Sequence, residues 1–302
     1  MTDIRRGYLY IFLTSVLFGI NTMAIRYYFV AFGNHSIQTV AFWSLTAASI
    51  IVLPYFVFNT SSHKRMKISV IRDGKIVLAV AFLSSAGAFF WYVSLGKIGA
   101  GAGSLAAKSQ VLYSALLGVI LLRERFTAFE TAGMILALSG VAVISQLPGE
   151  VNLIGMGSMM LSALIYSVQS YIVKRFGKDL HGVEFSYLRA ALMGIIYGIT
   201  FALSGTLEIL PFKEILFLGL FSMTGLMIGR TFYYEAHKYL GISRIGIGML
   251  FEPILILIGA FFILDESLSA MKLGGAFLIL FGLWMTAAKN LKLRKVPWFL
   301  KS

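Results

Sequence analysis

The chain has 302 residues, of which 58% are hydrophobic and only 13% are charged, and its mean hydropathy is +0.84. Soluble domains are about half apolar and about a quarter charged, so this composition excludes an ordinary soluble protein and indicates a membrane protein. The sequence contains no cysteine, which excludes disulfides, thiolate metal sites and cysteine nucleophiles, and its net charge is +13.

Ten apolar segments follow one another along the chain. A helix that crosses the bilayer core needs roughly 20 mostly apolar residues, and each segment approaches or exceeds that length. They cover residues 7–29, 36–58, 75–97, 101–122, 128–147, 152–173, 184–204, 213–238, 243–264 and 270–290. The longest polar loop between them, 59–75, is too small to bury a core of its own. The sequence therefore predicts an all-α membrane protein with ten transmembrane helices.

The distribution of lysine and arginine explains the basic net charge. With the N-terminus in the cytoplasm, 19 of the 26 basic residues lie in inside segments and 4 lie outside. This positive-inside bias predicts that both termini are cytoplasmic and that the protein lies in the bacterial cytoplasmic membrane. Anionic membrane lipids are the expected partners of this charge, and no nucleic acid is expected to bind.

The second half of the chain repeats the first. Segments Leu122–Gly140 and Leu264–Gly282 share leucine, glutamate, alanine and glycine at a constant spacing of 142 residues. The first predicted helix pairs with the sixth at a spacing of 148, so the halves 1–147 and 148–302 contain five helices each. Because five is odd, the second half enters the membrane from the opposite side. Inverted repeats are typical of alternating-access transporters, although duplication can also simply produce a stable bundle.

The repeated motif resembles the signature of the EamA family of the drug/metabolite transporter superfamily. An acidic residue, a polar turn, a threonine or serine, and a helix with two glycines seven apart occur at 124–140 and again at 266–282. The resemblance covers essentially the whole chain. It implies a secondary transporter rather than an enzyme, most often an exporter of metabolites or amino acids, with a central cavity between the halves. One departure from the family pattern is that Pro253 in the ninth helix has Val111 as its counterpart in the fourth.

The motif itself is more typical of packing than of substrate binding. Glu124 and Glu266 lie at the predicted membrane edge, and Thr127 and Ser269 can cap the helices that follow them. Small residues on one helix face let two backbones approach closely in a membrane. We therefore expect the two glutamates to be structural. The last helices of the two halves are expected to pack together, in a monomer or across a homodimer.

Two oppositely charged residues are predicted deep in the membrane. Lys108 is the eighth residue of the helix 101–122, and Glu252 lies near the middle of the ninth helix, directly before Pro253. The spacing of 142 pairs Glu252 with Gln110. Charged groups at that depth are costly and face a cavity or a partner. Two interpretations stay open: Lys108 binds a substrate carboxylate and Glu252 an ammonium group or a coupling proton, or the two form an ion pair that joins helices.

Three further charged residues are assigned to gating or structure, as is Pro253, which softens its helix. Arg189 lies near the cytoplasmic end of the seventh helix and can extend toward the membrane edge. Arg230 and Glu235, near the inner end of the eighth helix, can bind each other and close the inner mouth. A cavity rich in the basic groups of Lys108, Arg189 and Arg230 would favour an anionic cargo, whereas Glu252 exposed alone would favour cations.

Aromatic rings and buried amides complete the candidate substrate contacts, because rings bind planar or ammonium groups and buried amides need partners. These candidates are Trp43, Trp91, Tyr92, Tyr113, Asn21 and Gln169. No histidines are paired at metal-ligand spacing, so neither a metal nor a cofactor is predicted. The balance of one acid with one base favours a small-molecule substrate that is an amino acid, in particular an aromatic one, moved outward. The alternative is an importer or exchanger of a nucleotide-like or cationic metabolite such as S-adenosylmethionine or choline.

Overall fold

The structure is a computed structural model that describes residues 3–32, 35–95, 107–145, 153–177, 181–205, 208–264 and 270–292. Over these residues every regular element is a helix. Six described helices are long and apolar enough to cross a membrane, and shorter apolar helices cover Ser109–Leu122, Ala128–Val143 and Leu273–Thr286. The expected all-α fold with many spans is confirmed. The ten-helix count and the cytoplasmic termini stay predictions.

The helices follow the predicted order closely. The first half contributes α1 (Asp3–Phe32), α2 (Ile37–Phe58), α3 (Thr60–Leu95), α4 (Ser109–Leu122) and α5 (Ala128–Ser145). The second half contributes α6 (Leu153–Phe176), α7 (Gly182–Ser204), α8 (Phe212–Ser222), α9 (Arg230–Ala236), α10 (Ile242–Gly248), α11 (Glu252–Leu264) and α12 (Ala270–Lys292). A π-helix, Met223–Gly229, joins α8 to α9, and a 3₁₀-helix, Met249–Phe251, joins α10 to α11. Each of these pairs is therefore one continuous but irregular helical stretch.

The prediction of a polar loop at 59–75 is wrong, because α3 runs through this segment. One face of the extension is buried, including Ser62 and Ser69. Arg65 Nε donates a hydrogen bond to Glu184 Oε1 of α7 at 2.8 Å. The sequence of this segment is too polar to predict a membrane-spanning helix. The segment is nevertheless helical, and its buried polar groups pack on α7, which also has polar groups there.

The last helices of the two halves, α5 and α12, pack backbone against backbone. A Cβ atom added to Gly133 would lie 2.7 Å from the carbonyl oxygen of Gly282. A Cβ atom added to Gly140 would lie 2.5 Å from the carbonyl oxygen of Gly275. Only residues without a side chain permit this approach. The predicted packing of these two helices is thus confirmed within a single chain, and we call these four glycines the α5–α12 seam.

Helix α1 of the first half lies against both irregular stretches of the second half. Thr14 Oγ1 donates a hydrogen bond to the carbonyl oxygen of Gly229 at 3.2 Å, at the end of the π-helix. Two turns further along α1, Thr22 Oγ1 donates to Glu252 Oε1 at 3.3 Å, at the end of the 3₁₀-helix. This arrangement positions the candidate site around α1, where the two halves meet.

Candidate functional site

Three charged residues lie where regular helix geometry is interrupted. Lys108 is a turn residue directly before α4, Glu252 is the first residue of α11 after the 3₁₀-helix, and Arg230 is the first residue of α9 after the π-helix. Single turns of π-helix occur frequently at functional sites, and transporters place discontinuous helices at their substrates. The helix irregularities therefore mark the same region as the charges.

The interruption next to Glu252 has a direct cause in the sequence. Pro253 has no backbone N–H, so it cannot donate to the carbonyl group one turn earlier, which belongs to Met249. The N–H group of Glu252 donates to that Met249 oxygen instead, which tightens the turn to 3₁₀ geometry. Lys108 lies in a turn between the helical Ala107 and α4, which begins at Ser109. Residues 101–106 lie outside the described residues, so its position inside the helix 101–122 stays a prediction.

Lys108 and Glu252 meet across the two halves of the chain. Lys108 Nζ lies 3.9 Å from Glu252 Oε2, and each side chain is 17% exposed. Charge-assisted hydrogen bonds are usually shorter, about 2.7–2.9 Å, so this pair is loose. Thr22 Oγ1 donates to the other carboxylate oxygen of Glu252 at 3.3 Å. Within the described part of the chain, the arrangement leaves lysine protons and carboxylate lone pairs open to a third, charged group.

Arg230 lies among aromatic rings. Its guanidinium carbon is 5.0 Å from the ring centroid of Phe18, 5.5 Å from that of Tyr166 and 5.2 Å from that of Tyr233. These distances fall within the range of cation–π attraction. Its buried Nε–H group has no hydrogen-bond acceptor among the described residues. Arg230 is thus held by ring faces rather than by an acid.

The expected contact between Arg230 and Glu235 is wrong in this structure. Glu235 accepts a hydrogen bond from Lys238 Nζ at 2.9 Å and another from the backbone N–H of Gly182 at 2.9 Å. Residues three apart lie on the same side of a helical turn, so Lys238 reaches the carboxylate more easily than Arg230 does. A gating role for either residue stays a prediction.

Arg189 is buried rather than extended toward the membrane edge. Arg189 is only 1% exposed, so the prediction that its side chain extends toward the membrane edge is wrong. Its Nη1 contacts Met193 Sδ at 3.0 Å, and its Nη2 lies 3.4 Å from the carbonyl oxygen of Leu226. Its Nε–H group finds no acceptor among the described residues. Sequence reasoning noted the charge of Arg189 but missed its burial.

The two candidate amides differ in their surroundings. Gln169 Oε1 accepts a hydrogen bond from Ser84 Oγ at 2.9 Å, and its Nε2 donates to the hydroxyl oxygen of Tyr234 at 3.0 Å. Gln169 therefore has the partners that a buried amide needs, and it links α3 and α6 to α9. Asn21 packs against Gly225 of the π-helix, and its buried Nδ2 has no acceptor within the described part of the chain.

The remaining candidates are spread along the helices. Trp43 Nε1 donates to the carbonyl oxygen of Glu208, in the segment before α8, at 2.9 Å. Trp91 packs against Met159, and Ala107, the residue before Lys108, packs against the same methionine. The other two sit on α4, where Gln110 and Tyr113 are partly exposed. The side chain of Tyr92 and the whole of Glu266 lie outside the described residues.

Comparison with known proteins decides the family. The model of the EamA-like transporter family matches residues 5–146 and 153–288. The chain belongs to the EamA-like transporter family. A relative described as an uncharacterized transporter, from Archaeoglobus fulgidus, is 28% identical over 210 residues, which cover 66% of this chain and 72% of the relative. The resemblance stated from the sequence is thereby confirmed, and this EamA-like protein is a multi-pass membrane transporter.

One solved crystal structure shares the fold of this EamA-like chain. It superposes with a TM-score of 0.75 at 16% sequence identity, and the match covers 97% of this chain and 98% of the other. At that identity the likeness concerns the fold alone. The boundaries of the two repeats, 1–147 and 148–302, stay predictions.

The repeated motif of this EamA-like transporter has a structural function in its first copy. The Glu124 carboxylate accepts hydrogen bonds from the backbone N–H groups of Ile242 at 2.8 Å and Ser243 at 3.4 Å, at the start of α10. The first N–H groups of a helix have no acceptor within the helix, so a carboxylate there satisfies them and opposes the positive end of the helix dipole. Glu124 therefore joins the two halves by capping a helix of the other half.

Thr127 and Glu130 form a capping box at the start of α5. Glu130 Oε2 accepts from the Thr127 N–H at 2.9 Å, and Thr127 Oγ1 accepts from the Glu130 N–H at 3.3 Å. The predicted cap by Thr127 is confirmed. Sequence reasoning missed the buried Glu130, which also pairs with Arg244 at 2.8 Å (Nη2–Oε1). The spacing of threonine and glutamate in Thr127–Glu130 is the signal that could have found it.

Proposed function

We propose that this transporter exports a small zwitterionic metabolite, an amino acid, by alternating access between the halves 1–147 and 148–302. The observation that carries the proposal is the loose Lys108–Glu252 pair at two helix interruptions, with 3.9 Å between Nζ and Oε2. A zwitterion has one carboxylate and one ammonium group at a fixed, short separation. It can therefore enter between the two side chains and pair with both.

The exchange of partners limits the cost of burying charge. Without substrate, Lys108 and Glu252 neutralise each other, so neither is left alone in a medium of low polarity. With substrate, the amino-acid carboxylate binds Lys108 and its ammonium group binds Glu252, which gives two ion pairs in place of one loose pair. Thr22 holds the second oxygen of Glu252 and keeps the carboxylate oriented toward the substrate.

Contacts between the halves at both ends of the bundle support alternating access. At one end Tyr28 Oη donates to Glu214 Oε2 at 2.5 Å, so α1 is held to α8. At the other end the Glu124 carboxylate, which follows α4, caps α10, so the end of α4 is held to α10. The contacts at each end join the first half of the chain to the second half. Opening toward one side requires that one set breaks while the other holds, which is the behaviour of a rocking transporter.

The ring of Trp91 supports an aromatic substrate. Trp91 and Ala107, the residue before Lys108, both pack against Met159, so the indole lies in the same cluster as the segment that carries Lys108. A planar side chain bound with its carboxylate at Lys108 would reach an indole face, where offset stacking adds to burial. Aromatic amino acids are therefore the first substrates to test.

A counterflow assay in proteoliposomes tests this function. Vesicles loaded with unlabelled phenylalanine should accumulate external labelled phenylalanine, and the assay needs no knowledge of a coupling ion. Lys108→Ala and Glu252→Gln should lower the rate by about tenfold or more, which corresponds to about 1.4 kcal/mol of lost binding per tenfold change. The exposed Lys213 provides the control variant Lys213→Ala, which should keep the wild-type rate.

Other outcomes would redirect the assignment. Counterflow of choline or S-adenosylmethionine without any counterflow of amino acids would replace the zwitterion with a cationic substrate. Equal phenylalanine counterflow in the wild type, Lys108→Ala and Glu252→Gln would show that the pair only joins helices.

A further inference from the structure

Two arginines in the bundle carry charge that no acid of the described residues neutralises. Arg189 of α7 and Arg230 of α9 form, with Tyr166, Tyr233 and Tyr234, a group that we call the arginine cluster. Neither guanidinium forms an ion pair with a carboxylate among the described residues, and each has a buried Nε–H group without an acceptor. Arg189 Nη2 lies 3.4 Å from the carbonyl oxygen of Leu226, which is about one turn before Arg230 in the same helical stretch, so the two like charges lie in the same part of the bundle.

The contacts that the arginines do make leave their hydrogen-bonding capacity largely unused. A guanidinium carries several N–H donors in a fixed planar fork and no acceptor. Arg189 reaches one methionine sulfur at 3.0 Å and one carbonyl oxygen at 3.4 Å. Arg230 faces three rings, which attract its charge but do not accept hydrogen bonds in the plane of the fork. Buried charge of this kind requires a partner.

The surrounding hydroxyl groups are organised by neighbouring side chains. Tyr234 Oη accepts from Gln169 Nε2 at 3.0 Å, so the hydroxyl proton of Tyr234 stays available to another acceptor. Tyr233 Oη pairs with Ser170 Oγ at 2.5 Å. The cluster thus combines two guanidinium groups with a free hydroxyl donor, all of which complement the oxygen atoms of an anion.

The position of the cluster relates it to the proposed substrate pair. Phe18, which covers Arg230, and Thr22, which binds Glu252, are one turn apart on α1. One turn of α-helix rises about 5.4 Å. The arginine cluster and the Lys108–Glu252 pair therefore lie at neighbouring depths on α1, within the span of one small metabolite.

We propose that the arginine cluster binds an oxyanion group, a carboxylate or a phosphate, of the transported metabolite. This inference rests on the proposed function and narrows its substrate class from amino acids in general to amino acids that carry a further carboxylate or phosphate group. The guanidinium forks of Arg189 and Arg230 hold the oxygens of the anionic group, and the Tyr234 hydroxyl donates to the same group. The amino-acid head, where present, occupies Lys108 and Glu252.

Thermal unfolding of the purified protein in a neutral detergent tests the anion site without any transport. The probes are sodium malonate and sodium phosphate, with sodium chloride at equal ionic strength as the reference. Malonate, phosphate or both should raise the Tm of the wild type above its value in chloride. The shift should be lost in Arg189→Gln and Arg230→Gln and kept in Arg175→Gln, whose parent side chain is exposed.

Stability without anions separates this role from a structural one. If the arginines form an anion site, this site is empty in chloride and the guanidinium charges there are not compensated. Each glutamine variant removes one of these charges, so its Tm in chloride should equal or exceed that of the wild type. Failure of the two variants to fold, or a lower Tm in chloride with an unchanged anion shift, would overturn the proposal. Arg189→Lys keeps the charge but loses the planar fork, and it should retain only part of the shift.

Four further outcomes complete the design. A shift of equal size in all variants would be the general salting-out effect of these anions and would overturn the proposal. Stabilisation by phosphatidylglycerol in mixed micelles, without stabilisation by soluble anions, would assign the site to a lipid headgroup and overturn it as well. If the wild type shows no counterflow of amino acids but keeps the rise in Tm with anions, the proposed function alone is refuted. If it shows amino-acid counterflow but no rise in Tm with anions, this inference alone is refuted.

Discussion

The ammonium group of Lys108 lies 3.9 Å from the carboxylate of Glu252, and the two residues belong to different halves of the chain. Both residues stand at an interruption of a helix, where regular backbone hydrogen bonding stops. A charge pair at such a place can change partners without a cost in helix hydrogen bonds. The pair can therefore act as a binding element as well as a link between helices.

A double-mutant cycle measures the energy of this pair. We expect Lys108→Ala and Glu252→Ala together to reduce the free energy of unfolding by less than the sum of the single changes, with a coupling of about 0.5–3 kcal/mol. The pair Lys238–Glu235, which is only partly buried and joins neighbouring turns, serves as the reference, with an expected coupling of about 0–1 kcal/mol. Additive effects of the two alanine changes would show that the 3.9 Å approach carries no interaction energy.

The helix cap formed by Glu124 predicts a loss of stability without a loss of substrate recognition. Glu124→Ala removes the acceptor of the Ile242 and Ser243 N–H groups and should lower the free energy of unfolding by about 0.5–2 kcal/mol. Thermal unfolding in detergent measures this change, and the concentration dependence of counterflow should stay that of the wild type. Arg125→Ala alters an exposed neighbour and is the control. A changed substrate preference in Glu124→Ala would contradict the structural assignment.

The α5–α12 seam predicts an unusual sensitivity to a single methyl group. Gly140→Ala adds a Cβ atom that would lie 2.5 Å from the Gly275 carbonyl oxygen, so the two helices must separate. Forced separation of a packed interface costs about 1–3 kcal/mol. Gly274→Ala, in the same pair of helices, adds a methyl group with nothing within 4 Å and should have little effect on unfolding. Equal Tm values for the two alanine variants would show that the helices do not approach this closely.

The two contacts of Glu130 can be separated by substitution. Glu130→Gln keeps an acceptor for the Thr127 N–H, since glutamine also occurs in capping boxes, but it removes the charge that pairs with Arg244. Glu130→Ala removes both contacts. We expect the free energy of unfolding to decrease in the order wild type, Glu130→Gln, Glu130→Ala. Arg244→Gln should then destabilise the wild type clearly and Glu130→Gln only slightly, and an equal effect in both backgrounds would exclude a direct ion pair.

Hydrophobicity and the internal repeat predicted much of the fold. The apolar segments followed from local composition, and the packing of the α5 and α12 glycines followed from the motif repeated at a spacing of 142 residues. The family followed from the resemblance of that motif to the EamA signature. The helical extension of α3 did not, because hydropathy identifies membrane spans and not amphipathic helices whose polar face packs on another helix. Arg65 and Glu184 form such a contact over a long sequence distance, which no local pattern reveals.

The candidate site was predictable in its residue types but not in its pairings. The predicted depth of Lys108 and Glu252 indicated that they face a cavity or each other. The proline at position 253 predicted an irregular turn before it. The surroundings of Arg189 depend on which helices flank α7. Sequence distance says nothing about this, so a residue that was expected at the membrane edge is instead buried.

The α5–α12 seam also sets an order in time. Gly133 and Gly140 belong to the first half, but the backbone that covers them comes from the last described helix of the chain. During synthesis α5 enters the membrane long before α12 has been translated, so its bare glycine face meets lipid in the interval. Chains fold largely from the N-terminus onward as they are made. The first half therefore cannot complete its own packing until the final helix has left the ribosome, and truncation before residue 270 should leave a bundle that is inserted but not closed.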